Sequence, residues 1–307
     1  MPSPAASLAE HAPCRELERL ARWTTLRIGG PAELFFEPRR PEELAAVLDA
    51  LEQRNLPWRI LGGGANTLAP DGGVRGAVLH TGMLRRAFRE GNRLRLWPGV
   101  TLPALVRGAA AHGLGGVERL VGVPGHVGGG IAMNAGSAEW GLWDQVLEVS
   151  LWDPRAAGAR IVRRTRAEVQ PRYRDGNLRG AVVLEALLEL QPESPRTLRA
   201  RMEEHLRRKN ATQPVTLSSA GCAFKNPPGD SAGRLIDAAG LKGARAGGAA
   251  VSELHGNFIV NAGGASAADV RALLERMEGT VQEKFGVRLE RELVVWPEPL
   301  GGTIGAC

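Results

Sequence analysis

Apolar positions along the chain recur with a helical period in some stretches and in short runs in others. Leu44, Val47, Leu48 and Leu51 lie on one helical face, which predicts a helix over 41–55. Pro41, Glu42 and Glu43 suit its first turn. Runs at 32–36 and 58–61 flank it as strands, giving a βαβ unit that exits into Gly62, Gly63, Gly64, Ala65, Asn66 and Thr67. From about 74 to 190 the pattern shortens to strands at 74–80, 93–97, 145–152 and 181–190, with one helix over 102–112. An irregular glycine stretch over 113–136 interrupts them, and 191–195 reads as a linker. The last third opens on a charged helix at 196–210. An extended piece over 221–226 follows, stopped by Pro227, Pro228 and Gly229. A helix over 231–239 precedes Gly240 as its cap, and Ser266 with Asp269 forms a capping box that opens a helix to about residue 285. A strand over 289–296 closes the pattern, while residues 1–20 read as a polar leader with a short helix.

Composition sharpens this reading. Of 307 residues, 40 are glycine, about twice the usual share. They show no period of three, so they belong to turns or ligand loops. The net charge of +6 is carried almost wholly by arginine, since the lysines are Lys209, Lys225, Lys242 and Lys284. No basic run interleaves with aromatic residues, which argues against a nucleic-acid partner. Cys14, Cys222 and Cys307 are too few and too far apart for a disulfide framework or a zinc site, and no metal is expected. The N-terminal residues lack the apolar centre of a signal peptide, and no apolar run reaches bilayer length. These features point to a cytoplasmic protein with no membrane insertion.

Two glycine-rich loops carry candidate chemistry. The loop 62–66 follows a strand directly, and three glycines let backbone N–H groups close on an anion. It is neither a Rossmann loop nor a Walker loop. The G-x-G-x-x-G spacing and the Lys-Ser or Lys-Thr pair are both absent, and the chain runs on to Pro70, Asp71, Gly72 and Gly73 without a helix. The second loop runs from Gly122 through Gly130 to Gly136. Its glycines are expected not to build a packed helix, and its neutral side chains suit a flat ring system with a polar edge. His126 within it is either structural or functional.

A series of motifs then resembles the UDP-N-acetylenolpyruvoylglucosamine reductase family. They begin with Thr25 to Gly30, Gly62 to Asn66, Gly122 to Gly129 and Met133 to Gly136. They continue with Tyr173, Arg174 and Asp175, then Gly221 to Pro227, Ala232 to Ile236 and Ala239 to Gly243. Gly247 to Ser252, His255 to Asn261 and Gly286 to Glu292 complete the series. The resemblance spans about 20–296. It implies an α+β fold: a two-part FAD-binding domain of the vanillyl-alcohol-oxidase type plus a smaller α+β substrate-binding domain. The implied parts are 16–80 with 294–307 as the first FAD-binding subdomain, 81–192 as the second, and 196–293 as the substrate-binding domain.

The resemblance also implies an oxidoreductase of peptidoglycan precursor synthesis, with tightly but non-covalently held FAD and NADPH as co-substrate. It would reduce the enolpyruvyl group of a UDP-sugar, UDP-N-acetylglucosamine enolpyruvate. Carried over position by position, FAD contacts fall on Gly62, Gly63, Gly64, Ala65, Asn66, Thr67, Pro124, Gly125, Val127, Gly128, Gly129, Asn134 and Ala135. Substrate contacts fall on Tyr173, Lys209, Lys225, Asn226 and His255, with Arg207 and Arg208 competing for the role of Lys209. Arg174 and Glu292 would stabilise the enolate. Alternating strand faces put Glu292 beside Val294 and Trp296, where partial desolvation raises a carboxyl pKa, although Glu290 shares that face. Cys222 stands where many family members carry a proton-donating serine. A thiol of ordinary pKa about 8.5 is mostly protonated at neutral pH and can play that part. The rapid passage from the strand near Leu190 to the next helix, with Tyr173 the sole tyrosine, matches the shorter family type without a tyrosine-bearing loop. Two other readings remain: another flavoenzyme on the same fold, such as an oxidase, and a basic nucleotide- or RNA-binding protein.

Overall fold

The computed structural model describes residues 8–298. Cys307, residues 1–7 of the leader and 299–307 of the first implied subdomain lie outside the described residues. In chain order the elements are β1 (Cys14–Arg19), β2 (Pro31–Phe36), α1 (Pro41–Gln53), β3 (Trp58–Leu61), β4 (Thr67–Leu68) and β5 (Val74–His80). Next come β6 (Ala87–Glu90), β7 (Arg93–Leu96), α2 (Leu102–Ala111), β8 (Leu114–Gly115), α3 (Val127–Ala132) and β9 (Val146–Trp152). β10 (Ile161–Thr165), α4 (Arg166–Val169), β11 (Val182–Glu189), β12 (Gln191–Pro192) and α5 (Pro195–Thr212) follow. The last are β13 (Ser219–Cys222), α6 (Ala232–Ala238), β14 (Arg245–Ala246), β15 (Ala249–Val251), β16 (Phe258–Asn261), α7 (Ala267–Phe285) and β17 (Val294–Val295).

The chain divides into two compact units. Among the described residues, the first comprises 8–16, 34–63 and 76–207, and the second 17–33, 64–75 and 208–298. The first unit has two apolar centres. In one, α1 buries Leu44, Val47, Leu48 and Leu51 with Phe36, Ala77 and Trp152, beside a sheet of order β1-β2-β5-β3. Each of the buried leucine, valine and phenylalanine side chains contributes about 1.5–3 kcal/mol by leaving water. The other forms between α2, α3 and the antiparallel sheet β10-β9-β11-β7-β6, with Trp143 and Ile131 fully buried at its middle. In the second unit, α7 lays Val270, Leu273, Leu274, Met277 and Val281 against the sheet β13-β16-β15-β14. Ser266 and Asp269 cap α7 reciprocally, and Gly286 ends it in a left-handed turn.

Most expected elements are present, and the fold is α+β, with five local expectations refined or overturned. Within the leader, Leu8 is helical, residues 1–7 of the expected short helix lie outside the described residues, and Cys14–Arg19 pairs as a strand. The linker at 191–195 is β12, paired with β8, and α5 already begins at Pro195. The extended piece over 221–226 is a strand only as far as Cys222. At the end, the strand covers Val294–Val295 alone, parallel to β4. Finally, the second glycine loop does contain a packed helix, α3. Val127 and Ile131 are fully buried there, and a methyl on Gly128 would stand 2.7 Å from the Pro98 side chain. Burial of the two apolar residues and close backbone packing outweigh the low helix propensity of three glycines. Among the described residues no helix is long and apolar enough to cross a membrane.

Candidate active site

In the first unit the two glycine-rich loops meet. A methyl on Gly63 would lie 2.8 Å from Gly125 Cα, so the two main chains touch with no side chain between them. In contrast, a methyl on Gly62 would meet nothing closer than 3.9 Å, and one on Gly129 would enter open space. Val127 is fully buried, and it and Gly128 direct their N–H groups to the carbonyls of Val100 and Pro98, at 2.8 and 2.9 Å. The faces left accessible are therefore those around Gly62, Pro124, Gly125 and Gly129. A backbone surface without side chains fits the close approach of a flat dinucleotide such as FAD.

Two histidines support this surface. His80 hydrogen-bonds the Gly62 main chain, and its ring lies 5.9 Å from that of His126. His126 Nδ1 is 3.4 Å from Thr81 Oγ1. Burial, then the Arg15 and Arg85 guanidinium groups, hold the His80 pKa down at about 4. Burial, then His80 and Arg85, do the same for His126, also at about 4. Both imidazoles are neutral at neutral pH, so the 3.6 Å approach of His80 to Glu37 is a dipolar contact rather than an ion pair.

The Tyr173 and Arg174 pair sits at the tip of a tight turn in the same unit. Arg172 and Asp175 close the turn with two main-chain hydrogen bonds, of 2.7 and 3.2 Å. Arg174 adopts a left-handed conformation (φ +54°), sparse for a non-glycine residue, and its guanidinium lies 5.7 Å from the Tyr173 ring centre. The turn is anchored on the C-terminal end of α3. Asn134 Nδ2 donates to the Arg172 carbonyl at 2.9 Å, while its Oδ1 accepts from Trp143 N–H at 3.2 Å. Both ends of the Asn134 amide are thus committed, one to the turn and the other to the Trp143 main chain. The Ala135 N–H goes to Gly130, and Ala135 O accepts from Leu142.

The second unit carries the rest. Gly64 is left-handed (φ +61°), and its carbonyl accepts from both Thr25 N–H and Thr25 Oγ1. Asn66 donates its side-chain N–H to the Glu292 carbonyl at 3.0 Å and accepts from Val294 N–H at 3.1 Å. Glu292 N–H in turn bonds Ala223 O at 2.8 Å, next to Cys222. The structure therefore places the Cys222 and Glu292 segments side by side. The alternating-strand argument for Glu292 does not hold, because Glu292 precedes β17. The two glutamates differ in their surroundings. Glu290 is 72% exposed and pairs with Lys225 Nζ at 2.6 Å, whereas Glu292 is half-buried.

Cys222 pairs with Phe258 across a register shift in the β13–β16 ladder, and left-handed Gly221 (φ +76°) makes that bulge. By register Cys222 shares a sheet face with Phe258 and Val260. A cavity of about 660 Å³ in the same unit is lined by Val260, Ala250, Gln213, Thr216, Arg245 and Ser252 among others, and Cys222 and Glu292 are not part of its lining. Lys209 is half-buried in the last turn of α5, while Arg207 and Arg208 are exposed. Asn226 Oδ1 accepts from Ala232 N–H at 3.1 Å, at the start of α6. The His255 ring packs edge-on to Phe258 at 4.9 Å, and its Nδ1 accepts from Asn257 N–H. Burial and then Lys242 push the His255 pKa down.

Sequence reasoning missed Asn257, which is only 2% exposed. Its Oδ1 accepts from Phe224 N–H at 2.9 Å, and its Nδ2 donates to Phe224 O at 2.8 Å. The signal available was a lone amide directly before an apolar strand, where a buried polar group must be satisfied. His80, ending a buried strand beside the first loop, was missed for the same reason. Between β11 and α5 only five residues intervene, so no tyrosine-bearing loop fits there.

Comparison with known proteins shows the family. The family model of the UDP-N-acetylenolpyruvoylglucosamine reductase C-terminal domain matches residues 213–296, and that of an FAD binding domain matches 32–160. A UDP-N-acetylenolpyruvoylglucosamine reductase of Symbiobacterium thermophilum is 44% identical over 92% of each chain. One from Moorella thermoacetica is also 44% identical, over 92% of this chain and 93% of that one. The crystal structure of the Thermus caldophilus reductase (MurB) superposes with a TM-score of 0.78 at 39% identity, covering 91% of this chain and 98% of that one. The chain is an FAD-dependent oxidoreductase and belongs to the UDP-N-acetylenolpyruvoylglucosamine reductase family.

Proposed function

We propose that this protein uses NADPH to reduce the enolpyruvyl ether of UDP-N-acetylglucosamine to the corresponding lactyl ether, giving UDP-N-acetylmuramate. The observation that carries this reading is the direct main-chain link between the Cys222 and Glu292 segments, through Glu292 N–H and Ala223 O. That link joins a proton donor to an acid on one backbone framework. FAD would be held against the main chain of Gly62, Gly63, Gly125 and Gly129. When bound, it supplies a hydride to the substrate after taking one from NADPH.

The remaining chemistry belongs to the chain. A hydride added to one carbon of the double bond leaves negative charge delocalised into the substrate carboxylate. Arg174, permanently charged and fork-shaped, binds that carboxylate and offsets the developing charge. Glu292, in its acid form, donates a hydrogen bond to the enolate. Cys222 delivers its thiol proton to the adjacent carbon, completing addition of one hydride and one proton, and the thiolate then regains a proton from water. Lys209 and the lining of the cavity receive the UDP portion. The soluble nature of both co-substrates suits a cytoplasmic reaction.

The test is anaerobic. Enzyme reduced with one equivalent of NADPH should be reoxidised when the enolpyruvyl UDP-sugar is added, with one lactyl product formed per flavin. Flavin that stays reduced in the presence of that substrate overturns the proposal.

A further inference from the structure

We infer that Asn257 is a positioning residue that sets the Cys222 thiol and Glu292 relative to one another. This rests on the reaction proposed above and adds a residue to it. The segment after Cys222 leaves the β-ladder, because the bulge at Gly221 shifts its register and β13 ends. Its main-chain groups therefore need other partners. On one side, Asn257 supplies three of them. Its carbonyl accepts from Ala223 N–H at 2.8 Å, and its side-chain amide takes both Phe224 N–H and Phe224 O. On the other side, Ala223 O accepts from Glu292 N–H at 2.8 Å and Leu293 N–H at 3.2 Å, and Lys225 N–H donates to Glu290 O.

Ala223 is thus a single peptide held by Asn257 through one group and by the Glu292 segment through the other. The Asn257 amide acts as a short artificial strand: one donor and one acceptor matched to one residue's main chain, in a site closed to water. A bulge re-aims a side chain, and a buried amide clamp keeps that new aim fixed. Displacement of a reacting group by about 1 Å can slow a reaction by about 100-fold. The clamp therefore acts on proton delivery and leaves alone the step in which flavin takes hydride from NADPH.

The test uses Asn257→Asp, which keeps shape but cannot donate to Phe224 O, and Asn257→Ala, both as holoenzyme with Cys14→Ser and Cys307→Ser. Three quantities are read: the rate of flavin reduction by NADPH, the rate of reoxidation by the enolpyruvyl UDP-sugar, and the rate of Cys222 alkylation by iodoacetamide. We expect reduction within about 3-fold of the parent, reoxidation slowed by about 10- to 100-fold, and a changed alkylation rate. Equal slowing of both half-reactions, or an unchanged reoxidation rate in folded, flavin-loaded variants, overturns the inference. Failure of both variants to fold also overturns it, since the amide would then serve stability alone. If the parent itself is not reoxidised, the proposed reaction fails. The alkylation rates then decide the clamp separately, and an unchanged rate overturns it.

Discussion

Around Gly63 and Gly125, two loops of the first unit meet through main chain alone, and what fixes them is the absence of side chains. Around Cys222 and Glu292, in the second unit, the main chain is fixed by side-chain amides: Asn257 on Phe224, and Asn66 on the Glu292 carbonyl. The first arrangement suits a large flat cofactor that needs surface and close approach. The second suits proton chemistry, which needs individual atoms at defined positions. It follows that the two regions should fail in different ways. Damage to the first should cost flavin, and damage to the second should cost turnover with flavin retained.

The largest effect expected is at Arg174. Arg174→Lys keeps charge but loses the two-pronged grip on a carboxylate, and substrate reoxidation of reduced enzyme should slow by about 100- to 1,000-fold. Stopped-flow flavin absorbance reads this directly, and a rate near the parent's would remove Arg174 from the mechanism. Next, Gly63→Ala forces a methyl to within 2.8 Å of Gly125 Cα, a backbone clash that costs about 1–3 kcal/mol. The flavin-to-protein ratio after gel filtration should drop, with little change in turnover per bound flavin.

A third effect concerns acid. His80 and His126 have folded-state pKa values held at about 4, below the ordinary value of 6.5. In that case the unfolded chain takes up protons first as pH falls. Stability is complete above about pH 6.5 and is lost progressively towards pH 4, by about 1–2 kcal/mol per histidine at pH 5. Urea titrations of parent and His126→Gln at pH 7.5 and 5 should show the acid loss shrinking in the variant. An equal loss in both would show that the pair does not titrate this way.

These predictions also mark how far the sequence could be read. Helices with a repeating apolar stripe and a cap, α1 and α7 above all, follow from local spacing, because the same residues that set the period also fill the core. The two glycine-rich loops stood out in the sequence by composition, and the structure brings their main chains together at Gly63 and Gly125. What was not legible depends on pairs far apart in the chain. Glu292 is placed by Asn66, 226 positions earlier, and not by strand alternation. Likewise α3 forms against its glycine content because Val127 and Ile131 find a core supplied by other segments. Cys222, Arg174 and Glu292 came from family resemblance. Asn257 required the structure, since nothing local announces which main chain a buried amide will clamp.

The smallest effects test whether the contrast between the two regions reaches beyond the sites. Gly108 in α2 and Gly279 in α7 are exposed helix-interior glycines, and added methyls would meet nothing within 4 Å. Gly108→Ala and Gly279→Ala should each raise stability by about 0.5–1 kcal/mol without altering flavin content or turnover. A change in either activity would show that the sites depend on helix flexibility.

The central claim is that Cys222 gives up a proton during substrate reduction. Stopped-flow reoxidation of anaerobically reduced parent, Cys222→Ser and Cys222→Ala by the enolpyruvyl UDP-sugar tests it most directly. The account predicts comparable flavin reduction by NADPH in all three, with Cys222→Ser turning over and Cys222→Ala slowed by about 100- to 10,000-fold. Reoxidation of Cys222→Ala at the rate of the parent would contradict it.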